Sequence, residues 1–292
     1  MLGDSNQSIS ISPLDLPREA RWRAETGRVV RCDHVVEAYW MLEIEAPHAA
    51  QHAGPGQFVM VRPKSWDGLL LGRPFDVFRT HPDRGAFEIL IKVKGEGTET
   101  LSRLRPGDAI DVVGPSGCLL DLSKCAPGVG FIARGAGVTP MVRIAQSCAE
   151  IGLSCYGLVS AREERLLLGV GELRGLGAEV ETASDEAGDS AGKPAEVVDS
   201  WMRANRLGVL FTCGSRRMGR LVQKVTAQGG ARGYIFLEYR MACGTGICVG
   251  CAAPLLTRKG DFRYGLVCME GPAFAAESVI LDWENAAPRK SD

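Results

Sequence analysis

Residues 240–272 read RMACGTGICVGCAAPLLTRKGDFRYGLVCMEGP, with cysteines spaced C-x4-C-x2-C-x16-C at Cys243, Cys248, Cys251 and Cys268. Four of the 10 cysteines therefore crowd into one stretch. Four thiolates at this spacing can embrace two irons and their sulfides, the ligand pattern of a [2Fe–2S] cluster. The first three would lie on a tight loop and Cys268 would return from a short hairpin. Gly244, Gly246 and Gly250 suit a backbone that wraps closely with its amides facing sulfur. Structural zinc also accepts four cysteines, but its knuckles more often begin with a short C-x2-C pair. The wider first gap and the glycines favour iron–sulfur.

Upstream of this stretch the hydrophobic rhythm alternates between strand and helix. VGFIA, RGAGVTP and MVRIAQSCAEIG follow one another from Val129, and Met141, Ile144, Ala145, Cys148 and Ile151 share a helical face. Pro140 suits a helix start, where its missing amide donor is not needed. CYGLVS with a Leu-rich segment, AEVETA with PAEVVDSWMRAN, GVLFTC with SRRMGRLVQKVTAQGG, and GYIFLE complete an open parallel α/β sheet. Gly135 and Gly137 would sit at a strand-to-helix turn where a diphosphate can approach helix amides. TCGSRRM ends a later strand, so both segments would lie at the carboxyl edge of the sheet, where such sheets bind ligands. The acid-rich run Glu179–Asp189 reads as a solvated loop.

From Ala24 to Pro115 short strands dominate. GRVVRCDHVV, YWMLEIEA, GQFVMVRP, GRPFDVFRT, AFEILIKV and GDAIDVVG predict a six-stranded antiparallel barrel, with one wet face for MLEIEA and FEILIKV. TETLSRLRPGD supplies one short helix, and THPDRG a turn. All four histidines, His34, His48, His52 and His81, fall in this region and read as surface or local structural groups.

The 292 residues carry 34 Lys+Arg against 35 Asp+Glu, a net charge of −1 that gives no general attraction to nucleic acid or anionic membrane. An apolar fraction of 45% with 24% charged residues describes a globular chain, and no apolar run predicts a membrane span. The first twenty residues lack a basic leader and a secretory core, and read as a mobile arm on a cytoplasmic protein. No internal repeat is visible. The expected division is an arm at 1–21, a barrel at 22–122, an α/β domain at 123–237, and a cluster module with tail at 238–292.

In this order the segments resemble the ferredoxin-NADP reductase superfamily and, within it, the electron-transfer subunits of class 1B dihydroorotate dehydrogenase, over roughly Ala24 to Trp283. The flavin motif RPxS is matched by Arg73-Pro74-Phe75-Asp76, and GxGTxxL by GEGTETL from Gly95 to Leu101. The resemblance implies that Arg73 binds the FAD diphosphate, that backbone near 75–77 lines the flavin, and that Lys94, Gly95, Gly97 and Thr98 belong to the same site. It implies a nicotinamide nucleotide at Gly135, Gly137, Thr139 and Pro140, with Cys213, Gly214 and Met218 beside it and Ser215 where a proline is common. Asp76 departs from the usual Ser or Thr, and an ionised carboxylate there can only accept a hydrogen bond. Ala133 and Arg134 replace small residues before GAGVTP.

The implied function is electron relay among NAD(H), FAD, the cluster and a flavin-containing catalytic subunit, in a hetero-oligomer serving pyrimidine biosynthesis. FAD mediates between hydride, a two-electron donor, and a one-electron cluster, so no acid–base catalytic residue is required. The alternatives are an NAD(P)H-dependent reductase subunit for another flavoprotein or oxygenase, and a non-enzymatic iron–sulfur sensor. Ser160-Ala161-Arg162 and Arg165 leave NADP(H) open through a 2′-phosphate contact, whereas the resemblance favours NAD(H).

Overall fold

The computed structural model describes residues 8–64 and 71–282. Residues 1–7 of the expected arm and the tail 283–292, including Trp283, lie outside them.

Six of the predicted strand segments form, yet the barrel sheet has seven strands because GRPFDVFRT bends in its middle. The sheet runs Arg73–Asp76, Phe58–Pro63, Ala109–Ser116, Arg23–Val36, Tyr39–Glu45, Ala86–Lys92, Arg79–His81, antiparallel throughout. Val77 and Phe78, both buried, make the bend. The Val77 amide donates to the Gln57 carbonyl at 3.4 Å, just before the strand Phe58–Pro63 beside one edge, and the Phe78 amide donates to the Glu88 carbonyl at 2.8 Å on the strand beside the other. One segment thereby borders both ends of the sheet and curls it. Leu42, Ile44, Val59, Ile89, Ile110 and Val112 fill the interior.

The wet face expected for MLEIEA and FEILIKV is reduced to its ends, where Glu45 and Lys92 are exposed, whereas Glu43 and Glu88 are only 3% and 2% exposed. Arginines from neighbouring segments offset the cost of burying these charges. Arg31 lies 3.3 Å from Glu43 and 3.0 Å from Glu88, Arg79 reaches Glu88 at 3.1 Å, and Arg84 reaches Glu43 at 2.6 Å. Leu90, Phe78 and Tyr39 join a core that continues into the α/β region, so the outer wall of the barrel is partly interior.

In the second sheet, Glu179–Ser184, Ser154–Ala161, Gly128–Arg134, Val209–Cys213 and Arg232–Phe236 run parallel in that order. The strand Ala273–Ala275, from beyond the cluster loop, pairs antiparallel with Arg232–Phe236. The front half of the acid-rich run is thus an edge strand, not a loop. Strand order reverses between Gly128–Arg134 and Val209–Cys213, the switch point where open sheets bind ligands.

Among the helices, α1 (Pro47–His52) was not foreseen and α2 (Glu96–Ser102) is the predicted short one. Helix α3 (Thr139–Ile151) has Pro140 in its first turn and ends at Gly152, whose φ of 70° is left-handed. Its expected face is buried except at Ile151, which is 54% exposed beside that terminus. The Leu-rich segment yields only the short α4 (Val170–Gly175), whereas α5 (Lys193–Arg203) and α6 (Arg216–Ala227) match their patterns. Ser215 caps α6 by accepting from the Met218 amide, which accounts for a hydroxyl at that position.

The described part of the arm is bound rather than mobile. Ser10–Ile11 pairs with Leu119–Leu120, Ile9 is fully buried, and the Ile9 carbonyl accepts from the Asp121 amide at 2.7 Å. Helix α3 is fastened to the barrel by two polar contacts. Gln146 and the Thr80 backbone exchange hydrogen bonds of 3.0 and 2.9 Å, and buried Arg143 donates through Nε to the Ala53 carbonyl at 3.1 Å. The second guanidinium bond, to Ser147 Oγ at 2.6 Å, orients the fork along the helix. Truncation by Arg143→Ala leaves the Ala53 carbonyl without this donor, and is expected to cost about 2 kcal/mol. Thermal unfolding should fall by roughly 4–8 °C, taking about 2–4 °C per kcal/mol for a chain of this class; an unchanged midpoint would remove Arg143 from the docking of the two domains.

Candidate functional site

A cavity of about 260 Å³ opens where barrel, parallel sheet and cluster module meet. Arg73, Pro74, Phe75 and Asp76 line it from one barrel edge, with Lys94 and Thr98 from the turn into α2. Thr139 and Cys213 line it from the parallel sheet's carboxyl edge, and Glu238, Tyr239 and Met241 from the segment entering the cluster module. Eight residues expected at a cofactor site therefore share one wall system. The Arg73 guanidinium donates to the Leu71 carbonyl at 2.8 Å, which fixes its fork at the strand end. The Thr98 hydroxyl accepts from the Lys94 and Gly95 amides at 2.9 and 3.2 Å and holds the turn in shape.

The remaining expected residues stand behind this wall. Gly135 begins the turn after Gly128–Arg134, and Pro140 sits in the first turn of α3. Gly97 lies in α2, and Gly214 follows the Val209–Cys213 strand with φ of 113°. Gly137 is a matter of space: a Cβ there would lie 2.4 Å from the Cys213 carbonyl oxygen. This close approach brings the two strand-end loops together across the switch point. Met218 is 1% exposed in the core under α6 and does not line the cavity.

Sequence reasoning missed Glu238, placed only as a domain boundary. The signal available was an acid between an apolar strand and the cluster loop. Burial pushes the Asp76 carboxyl up to about 7, and the Glu238 charge adds to it. Burial, then Asp76 and Glu238, hold the Cys213 thiol well above its ordinary value, so it stays protonated and is no nucleophile.

The expected cluster cysteines are arranged around a loop with inward amides. Cys243 Sγ accepts from the Thr245 and Cys248 amides at 3.4 and 3.5 Å, Cys248 Sγ from the Gly250 amide at 3.4 Å, and Cys251 Sγ from the Cys268 amide at 3.4 Å. Burial opposes the Cys243 thiolate, but those amides, together with the Thr245 and Cys248 side chains, outweigh it and bring the thiol down to about 6. Amides aimed at sulfur suit thiolate ligands, so the residues fit the group. Gly244, at φ of 72°, leaves room for barrel residue Met60, whose Cγ would lie 2.5 Å from a Cβ. The predicted hairpin is Ala252–Leu256 with Phe262–Leu266, followed by Cys268 in α7 (Val267–Glu270).

Cys251 and Cys268 are buried, whereas Cys248 is exposed between Ile247 and Val249, themselves 79% and 58% exposed. The module is tied to the barrel by backbone. The Gly117 amide donates to the Cys268 carbonyl at 3.0 Å, and the Cys118 amide is 2.6 Å from the Gly271 carbonyl.

Along the carboxyl edge of the parallel sheet, at the ends of Gly128–Arg134 and Ser154–Ala161, the arginines are engaged by acids. Arg162 lies 2.6 Å from Glu163, and Arg165 contacts Glu37 and, at 2.7 Å, Glu163. Arg134 reaches Ser160 Oγ at 2.8 Å and Asp185 at 2.6 Å.

Fold and site together define an FAD-binding oxidoreductase with a C-terminal iron–sulfur module. Residues 28–120 match the oxidoreductase FAD-binding domain family, and residues 238–280 the iron–sulfur cluster binding domain of dihydroorotate dehydrogenase B. The electron transfer subunit of dihydroorotate dehydrogenase B (NAD(+)) from Desulforamulus reducens is 32% identical over 246 residues, covering 84% of this chain and 93% of the relative. Its counterpart from Caldanaerobacter subterraneus subsp. tengcongensis is 29% identical, covering 89% and 100%. A solved NADH-dependent reduced ferredoxin-NADP oxidoreductase shares the fold with a TM-score of 0.72 at 24% identity, over 88% of this chain and 90% of that one. The chain belongs to the family of dihydroorotate dehydrogenase B electron transfer subunits.

A cavity-lining guanidinium with a fixed fork suits a diphosphate. Arg73→Ala is expected to weaken FAD binding by about 2 kcal/mol, roughly thirtyfold, with iron content unchanged. Equilibrium flavin titration checks this, and equal affinity would take Arg73 out of the site.

Proposed function

We propose that this chain carries electrons between NAD(H) and a partner flavoprotein that oxidises dihydroorotate, by way of FAD and a [2Fe–2S] cluster. The observation that carries the reading is the single cavity shared by the barrel strand Arg73–Asp76, the sheet edge at Cys213 and the segment leading to the cluster cysteines. FAD bound there would supply the conversion between a hydride and single electrons. Arg73, Gly97 and Thr98 would hold its diphosphate, and Lys94, Gly95 and the backbone of Pro74, Phe75 and Asp76 its flanks. Gly135, Gly137, Thr139, Pro140, Cys213, Gly214 and Met218 would shape the nicotinamide nucleotide site, directly or from behind. Positioning is the protein's contribution, since hydride transfer needs near contact and no proton donor.

The ion-paired state of Arg162 and Arg165 supports NAD(H) over NADP(H), because a 2′-phosphate would meet cations already neutralised beside Glu37 and Glu163. Exposed Cys248 between two apolar side chains supports an electron exit toward another protein, hence a hetero-oligomer. A sensor without flavin leaves the three-sided cavity unexplained. Cytoplasmic location belongs to the same proposal and is supported by the cysteines outside the cluster set, which are not joined in disulfides; among the described residues no helix is long and apolar enough to cross a membrane. The division at 22–122, 123–237 and 238–292 is likewise proposed, with Ala273–Ala275 crossing back into the parallel sheet.

The isolated holoprotein should reduce a small dye with NADH and fail to do so with dihydroorotate. Adding the flavin-containing partner should create dihydroorotate-linked NAD+ reduction. Cys248→Ser should impair that flux more than NADH-dependent flavin bleaching. Dihydroorotate oxidation by the isolated chain would overturn the division of labour.

A further inference from the structure

The cavity holds two carboxyl groups that the relay of electrons does not itself use. Asp76 comes from the barrel and Glu238 from the segment entering the cluster module, so two separate elements bring acids to one cavity, Asp76 half-buried and Glu238 exposed at its wall. Neither makes a hydrogen bond or an ion pair among the described residues. The cavity's cations are directed elsewhere: Arg73 donates to the Leu71 and Gly72 carbonyls, Lys92 lies 5.1 Å from the centroid of the Tyr39 ring, and Lys94 stands on the turn held by Thr98. The other titratable groups facing this space are the protonated Cys213 thiol and the Tyr239 phenol. Negative charge on the lining of this site opposes the arrival of more.

We propose that Asp76 and Glu238 form a proton-accepting pair that takes up one solvent proton when electrons enter the group held in this cavity and releases it when they leave. The proposal rests on the reading that this group is FAD. The balance is simple. A hydride from reduced nicotinamide brings two electrons and one proton, which adds one negative charge to the cavity. One proton bound by the pair cancels that charge; as the two electrons leave one at a time through the cluster, that proton and the one delivered with the hydride both depart to solvent. Asp76, pushed up to about 7 by burial and then by Glu238, is mostly protonated below neutral pH and ionised above it. Uptake is therefore confined to the alkaline side. A hydroxyl residue at this position would have no such titration near neutrality.

The test is a potentiometric titration of the bound flavin in the holoprotein from pH 6 to 9, comparing wild type with Asp76→Asn and Glu238→Gln. Above about pH 7, wild type should disfavour reduction more steeply than Asp76→Asn, by up to about tenfold in the oxidised-to-reduced ratio per pH unit, the signature of one linked proton. Below pH 7 the two curves should run parallel. In Glu238→Gln the repulsion is gone, so the steep region should begin at lower pH, a shift that a merely structural role would not produce. Parallel curves for all three proteins across the whole range would overturn the pair. A wild-type protein that binds no FAD would instead overturn the reading of the cavity on which the pair rests.

Discussion

Hydrogen bonds between the end of the barrel and the carbonyls of the cluster module fix the geometry on which the account depends. The Gly117 amide holds the carbonyl of Cys268, itself one of the four cysteines, and Gln57 Nε2 in turn holds the Gly117 carbonyl at 3.1 Å. Cys118 Sγ adds a contact of 3.1 Å to the Met269 carbonyl. Because backbone amides buried at such a junction must be paired, the seam cannot slide without leaving donors unsatisfied. The cluster loop is thereby held against the strand Phe58–Pro63, with Met60 filling the space that Gly244 leaves open. A position that relays electrons needs this kind of fixity more than it needs chemistry from side chains.

The other two seams have the same character. Helix α3 is fastened to the barrel by Arg143 and Gln146, and the core beneath runs without a break from Tyr39, Phe78 and Leu90 to Phe131 and Met141. A second core joins Phe58 and Met60 of the barrel to Leu210 and Ile235 of the sheet and to Cys251 and Cys268. The strand Ala273–Ala275 extends the nucleotide sheet with residues from beyond the cluster. Three modules that read as separate in sequence therefore share two cores, and their common cavity is a product of that sharing.

What was legible in the sequence followed local chemistry. The cysteine spacing, the glycine pair at 135 and 137, the helix start at Pro140 and the Arg73 motif all express constraints within a few residues of one another. Asp76 was visible as a departure from a motif. Its partner Glu238 was not, because nothing local says that a residue at a domain boundary turns into a cavity formed with a distant strand. The bound arm was missed for a related reason: two paired residues at Ser10–Ile11 leave no periodicity, and the buried Ile9 is explained only by what lies over it. The bend at Val77–Phe78 and the buried Glu43 and Glu88 likewise depend on sheet curvature and on arginines from other segments, which alternation along one strand does not encode.

The central claim is that the flavin lies between nicotinamide and cluster on the electron path because the three sites are held at one junction. Rapid mixing of the holoprotein with NADH, with flavin bleaching followed by absorbance and cluster reduction by freeze-quenched electron paramagnetic resonance, tests it most directly. The account predicts that the cluster signal grows only after the flavin has bleached and is lost when the flavin is removed. Cluster reduction of equal rate in flavin-free protein would contradict it.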